Sequence, residues 1–179
     1  MGLIKDLLSA LIVVGIIALG GYLITGTWPF MVAIESGSME PNMHIGDVVF
    51  LVSPEKKGII TFEEGAKMGY EKFGRYGDVI VYIPNGDRRA TPIIHRAIAY
   101  VKKGDPIPIL VKEGNQISLK LTNFKAQSDG YITQGDANPV PDQLAGVMPV
   151  KKDWVVGVAV FKIPYIGYVR VLISKIFLI

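Results

Sequence analysis

The sequence predicts a mainly β, antiparallel domain carried on one N-terminal membrane helix. Three observations lead there. No charged residue falls between Asp6 and Glu35. Beyond that interval, short runs of β-branched and aromatic residues alternate with turns that contain Gly or Pro. Apolar residues at helical spacing return only in the last stretch, Tyr165 to Ile179. The 179 residues suffice for one domain with a sizeable core plus a membrane element. Half of them are hydrophobic and the mean hydropathy is +0.36, high for a soluble protein and low for one that crosses a bilayer many times.

The anchor comes first. Leu7 to Thr25 gives 19 residues, nearly all apolar or small. At about 1.5 Å per residue such a helix approaches the ~30 Å thickness of the hydrocarbon layer. Tyr22 and Trp28 fall near its far end, where amphipathic aromatics favour the interface. Lys5 is the only side-chain cation ahead of the run and favours a cytoplasmic N-terminus. The competing reading is a cleaved signal peptide, with Ala18-Leu19-Gly20 as a small-x-small site. Tyr22-Leu23-Ile24 carries the apolar run past that site, and the region before it is barely basic, so a retained anchor is preferred.

Strands then follow in order. Val48 to Val52 reads as a buried strand behind the turn Gly46-Asp47. Within the polar stretch from Ser53 to Gly74, Phe62 to Phe73 has the character of a short helix weakened by two glycines. Val79 to Ile83 is a second strand, opened by Gly77-Asp78 and closed by Pro84, and Asn85-Gly86-Asp87 is a turn. Ile93 to Val101 is a third. Its alternation places His95, Ala97, Ala99 and Val101 on one face and Ile94, Arg96, Ile98 and Tyr100 on the other. Ile109 to Val111 and Gln116 to Leu121 form a hairpin, Gly130 to Gln134 a short strand, and Trp154 to Ile163 the last. Tyr165 to Ile179 is helical in pattern but, at about 22 Å, short for a span. Arg170 and Lys175 suit an interfacial helix, with a core helix or a short span as alternatives.

Composition removes several kinds of chemistry. The 19 Lys and Arg exceed the 16 Asp and Glu by a net +3, dispersed along the chain, which argues against nucleic acid as a partner. Cysteine is absent, so disulfides, thiolate nucleophiles and thiolate metal sites are excluded. Two histidines are too few for a His-rich metal site, and neither a metal nor a cofactor is expected.

What remains is a serine. Glu35-Ser36-Gly37-Ser38-Met39-Glu40-Pro41 is, taken alone, ordinary turn chemistry. It also places a hydroxyl on a constrained turn thirteen residues past Thr25. A serine attacks only when a base takes its proton. His44 lies in a polar loop. His95 lies mid-strand among small side chains, where a reacting group has room, although a lone strand histidine is more often structural. A histidine base needs an acid that fixes its tautomer, and Asp136 and Asp142 occupy a loop stiffened by Pro139 and Pro141. Turn capping is the alternative for both.

Together these segments resemble type I signal peptidases. Ser36 to Pro41 is similar to that family's Ser-x-Ser-Met-x-Pro box, Gly77 to Tyr82 to its second strand box, and Ile94-His95-Arg96 to the box carrying the base. Gly135-Asp136-Ala137-Asn138 with Asp142 resembles the last box, and Val160 to Val169 the C-terminal segment. Five boxes in the right order and spacing are far more specific than any one of them. Bacterial members carry lysine where this chain has His95, so the resemblance is to the endoplasmic-reticulum-type branch, and the small size looks archaeal. It implies a two-sheet β domain with Ser38 as nucleophile, His95 as base, Asp142 as the acid beside it and Asp136 as a second or supporting acid. It also implies an oxyanion held by the Ser38 N–H and the Ser36 hydroxyl. Pro141 stands where many relatives have another acid.

The expected activity is removal of N-terminal signal peptides from presecretory chains, cutting after small residues at the outer membrane surface. The expected partners are those preproteins, the lipid bilayer and a nearby protein translocation channel. The expected segments are an anchor over residues 1–28, an extracytoplasmic catalytic domain over 29–163 and a membrane-associated helix over 164–179, in the cell membrane or the endoplasmic reticulum membrane. Two rivals share the β signature: a self-cleaving repressor-type protease with a lysine base, and a membrane-anchored β module that binds protein without catalysis.

Overall fold

A computed structural model describes residues 2–114 and 116–166. The helix expected over 165–179 therefore lies almost wholly outside the described residues.

Helix α1 (Gly2–Thr25) begins five residues earlier than the apolar run and has no residue buried against the rest of the chain. Its 24 residues are long and apolar enough to cross a membrane. Where it ends it is fastened to the domain. The Lys56 ammonium donates to the carbonyls of Leu23 (2.8 Å) and Ile24 (3.0 Å), two of the acceptors a helix C-terminus leaves unpaired. The Ser53 N–H donates to the Thr25 carbonyl at 2.9 Å. Phe30 folds back so closely on Gly21 that a Cβ there would sit 2.5 Å from its ring.

Strand β1 (Met31–Ala33), not among the strands expected from the sequence, pairs with β2 (Val48–Val52). Short helix α2 (Pro54–Lys57) follows, and then α3 (Phe62–Met68), where a Thr61–Glu64 capping box starts the helix and Gly69 ends it. The helix expected to reach Phe73 stops there, because the next residues form a tight ribbon of β3 (Glu71–Lys72) and β4 (Arg75–Tyr76). Next come β5 (Val79–Tyr82) and β6 (Ile93–Val101). The β7 (Pro106–Glu113) and β8 (Gln116–Lys125) ribbon is longer at both ends than its apolar core suggested. Strands β9 (Gly130–Gln134) and β10 (Val155–Ile163) complete the chain.

The main sheet is antiparallel throughout, in the order β1-β2-β10-β5-β6-β9, and the ribbons β3-β4 and β7-β8 stand apart from it. Central β5 is buried on both faces. Val79 and Val81 join Ile34, Met39, Met43, Val49 and Leu51 on one side, and Ile80 and Tyr82 join Ala97, Val150 and Val158 on the other. A third cluster gathers Phe62, Ile98, Ala99, Ile107 and Ile132 between α3, β6 and the long ribbon. Ile98 and neighbouring Ala99 share that cluster because the β6–β9 register shifts between Ala97 and Ala99. The strict alternation expected along β6 therefore holds through His95 and Arg96 and breaks at this bulge.

Asp47 shows how the serine segment is closed off. Its buried carboxylate accepts from the His44 N–H (3.1 Å) and from Lys162 on β10 (2.9 Å). Burial pushes its pKa up, but the Lys162 and backbone hydrogen bonds outweigh that and hold it below the ordinary 3.8. A depressed carboxylate contributes stability that is full above the unfolded value and is lost as pH falls through the folded one. Asp47→Asn is expected to cost about 1.5–3 kcal/mol near neutrality, the worth of a charged hydrogen bond. In urea unfolding as a function of pH, that gap from wild type should shrink once the pH drops below 3.8.

Candidate active site

Ser38 occupies the middle of a one-turn 3-10 helix, Gly37–Met39. The turn is rigid because Met39 and Met43, wholly buried beside Val49 and Leu51, anchor it in the core. Burying each such side chain is worth about 1.5–3 kcal/mol. The loop after β9 holds it from the far side. The Ala137 N–H donates to the Ser38 carbonyl at 2.9 Å. Only glycine permits this approach, since a Cβ on Gly135 would lie 2.5 Å from that carbonyl oxygen.

His95 reaches the serine from β6, where it faces Ile80 of β5. Its Nε2 lies 3.0 Å from Ser38 Oγ, and its Nδ1 lies 2.7 Å from Asp142 Oδ2. With Asp142 ionised, Nδ1–H donates to the carboxylate and Nε2 is left to accept the serine proton; the tautomer follows from the partners. Ser36 Oγ stands 3.2 Å from Ser38 Oγ. His44 takes no part in this cluster: its backbone turns through Asp47 instead.

Asp142 opens a short 3-10 helix, Asp142–Ala145, and is buried. Two hydroxyls besides the imidazole satisfy it: Thr133 Oγ1 at 2.6 Å and the Tyr82 phenol at 2.8 Å, both on Oδ2. Burial first, and the Asp142 charge second, push the Tyr82 phenol far above its ordinary value, so it stays a donor. Neither residue was singled out from the sequence. Tyr82 and Thr133 lie 60 and 9 residues from Asp142, in strands whose apolar pattern hides their polar ends.

Asp136 has a different role in the geometry. It forms a two-pronged pair with Arg96, Nε to Oδ1 and Nη2 to Oδ2, both at 2.8 Å, with both side chains fully buried. Arg96 Nη1 also donates to the carbonyls of Gly77 (2.8 Å) and Lys72 (2.9 Å). Asn42, from the serine segment, donates to Asp136 Oδ2 at 2.7 Å. Arg96 was assigned no role in the sequence beyond its face of the strand, and it proves to be the tie between β6 and the Asp136 loop.

A cavity of about 500 Å³ opens beside Ser38, lined by Pro29, Val32, Ala33, Ile93, Ile94 and His95 among others. Its walls are β1 and the start of β6, mostly apolar, with the hydroxyls of Ser36 and Ser38 at one end.

A serine, an imidazole and a buried carboxylate in this relay are the arrangement of serine peptidases. No family model matches the chain. Curated relatives do. The signal peptidase complex catalytic subunit SEC11 of the fungus Schizophyllum commune is 29% identical over 154 residues, 83% of this chain and 66% of that protein. The protein of the same name from Leptosphaeria maculans is 30% identical over 146 residues, 81% of this chain and 64% of its own length. Human SEC11C, also a signal peptidase complex catalytic subunit, is 28% identical over 160 residues, 87% and 62% of the respective chains. The chain is a homologue of these signal peptidase catalytic subunits, and it spans just under two thirds of the length of these relatives. Fungal and mammalian relatives lend no support to the archaeal character expected from its size.

The Tyr82 phenol sets a second pH limit on the fold. A group whose folded pKa is raised contributes stability that is full below its unfolded value and declines as pH rises above it. Stability should therefore fall above pH 10.0 in the wild type, and Tyr82→Phe should flatten that alkaline limb in pH-dependent urea unfolding.

Proposed function

We propose that this protein is a membrane-anchored serine endopeptidase that removes signal peptides from preproteins, as its relatives' names describe. The observation that carries the reading is the unbroken relay Ser38 Oγ–His95 Nε2, His95 Nδ1–Asp142 Oδ2, at 3.0 and 2.7 Å. His95 takes the Ser38 proton as Oγ attacks the scissile carbonyl, and then returns it to the leaving amine. Asp142 holds the imidazole in the tautomer that accepts at Nε2 and stabilises the imidazolium. The developing oxyanion is held by the Ser38 N–H and the Ser36 hydroxyl, each such donor being worth about 3–4 kcal/mol. Asp136 supports the site through Arg96 and does not touch the imidazole.

The apolar cavity receives the residues before the cut and admits small side chains. Residues 1–28 serve as the anchor, with a cytoplasmic N-terminus, and 29–163 as the catalytic domain on the opposite side of the membrane. The membrane is that of the endoplasmic reticulum or its counterpart, the cell membrane. Substrates are presecretory chains whose apolar segment stays in the bilayer, and a position close to a translocation channel suits that supply. The arrangement disfavours both rivals: a lysine-based protease places an amine where His95 stands, and a binding module does not require the relay.

Ser38→Ala should lower preprotein cleavage in detergent or liposomes by about six orders of magnitude, with unfolding unchanged. Retained cleavage would exclude Ser38 as nucleophile. Asp142→Asn should cost about 10⁴-fold in kcat. Asp136→Asn should cost less in kcat and more in stability, since it leaves buried Arg96 poorly paired. The reverse order would exchange the roles of the two acids.

A further inference from the structure

The apolar cavity accommodates only one side of a scissile bond. A second cavity, of about 630 Å³, begins two residues beyond Ser38, at Glu40 and Pro41. Glu40 and Pro41 form its near wall, Pro139 its end, and Leu110, Lys112 and Ile117 of the β7–β8 ribbon its far wall. The serine segment divides between the two cavities: Glu35, Ser36 and Ser38 line the first, and Glu40 and Pro41 line the second.

This second cavity is a built feature. Gln134 fixes the ribbon to the loop after β9, accepting from the Leu110 N–H at 3.0 Å and donating to the Leu110 and Asn138 carbonyls at 3.2 and 2.8 Å. The buried charge in its floor, Asp136, is already paired with Arg96 and Asn42. The Ala137–Ser38 hydrogen bond ties the same floor to the nucleophile's own carbonyl. Arg75, also in the lining, is held by Asp136 at 3.4 Å and by that residue's carbonyl at 3.0 Å, so an incoming chain meets the apolar side chains of Leu110, Val111 and Ile117, polar groups already engaged with one another, and two exposed charges, Glu40 and Lys112.

We propose that this cavity binds the residues that follow the cut, an extended segment of the mature chain. An apolar side chain would sit over Leu110 and Ile117, and an acidic one would be favoured beside Lys112. The proposal rests on the peptidase reading above and adds a preference that the relay alone does not give.

The test uses the full-length protein in detergent and peptides with one common segment before the cut. One set stops two residues after the cut, another extends six residues beyond it, and the longer set carries a single Asp or Lys at each position from the third onward. Extension should raise kcat/KM mainly through KM. At one position Asp should exceed Lys by no more than about fivefold, the range of an exposed charge pair. Lys112→Glu should reverse that preference, and Ile117→Lys should abolish the gain from extension, while both variants cleave the short peptide at the wild-type rate. Equal kcat/KM for short and extended peptides, or a charge preference indifferent to Lys112→Glu, would overturn the proposal and leave the peptidase reading intact. No Ser38-dependent cleavage of any peptide would remove both.

Discussion

The buried Arg96–Asp136 pair is the interaction on which the site depends. Arg96 directly follows His95 in β6, so whatever fixes one backbone fixes the other. Its guanidinium spans three separate pieces of chain: the β3–β4 ribbon through backbone carbonyls, the loop after β9 through Asp136, and, through Asn42 on the same carboxylate, the serine segment. A charged pair with no exposure is costly to desolvate, and removing one partner would strand the other. With every prong of the fork engaged, the network holds one arrangement, and that arrangement presents Ser38, His95 and the Asp142 loop to one another.

A division of labour between the two acids follows. Asp142 accepts from two neutral hydroxyls and the imidazole, and so orients the ring. Asp136 accepts two hydrogen bonds from the permanent cation of Arg96 and a third from Asn42, with the Arg75 guanidinium 3.4 Å away. The first arrangement suits a group that must respond to an imidazolium forming beside it, and the second suits a fastening. Both lie in one loop, six residues apart. Gly135 allows that loop to touch the serine carbonyl, and the helical turn at Asp142 aims its carboxylate back towards β6.

The membrane helix belongs to the same construction. Lys56 caps its last carbonyls and Phe30 packs on Gly21, so the helix leaves the domain in a defined direction. Thirteen residues separate Thr25 from Ser38, and β1 runs between them along the edge of the apolar cavity.

The long apolar N-terminal helix, the β character and seven of the strands were legible in the sequence, because uncharged length and β-branched runs between turns are local signals. Ser38, His95 and the two acids were legible as candidates, and the ordered boxes narrowed them further. Which acid faces His95 was a matter of register: β5, β6 and β9 pair so that Tyr82, His95 and Thr133 converge on the Asp142 turn, while Arg96, one residue on, points to Asp136. Strand β1 and the ends of the β7–β8 ribbon were missed because their residues gain strand form only from their neighbours. The bulge in β6 escaped as well, since alternation assumes an unbroken ladder. The sequence by itself therefore determined the apolar helix, the class of fold and the chemical cast. Only the tertiary structure decided which side chains meet, because contacts across 57 and 47 residues are set by strand pairing and core packing.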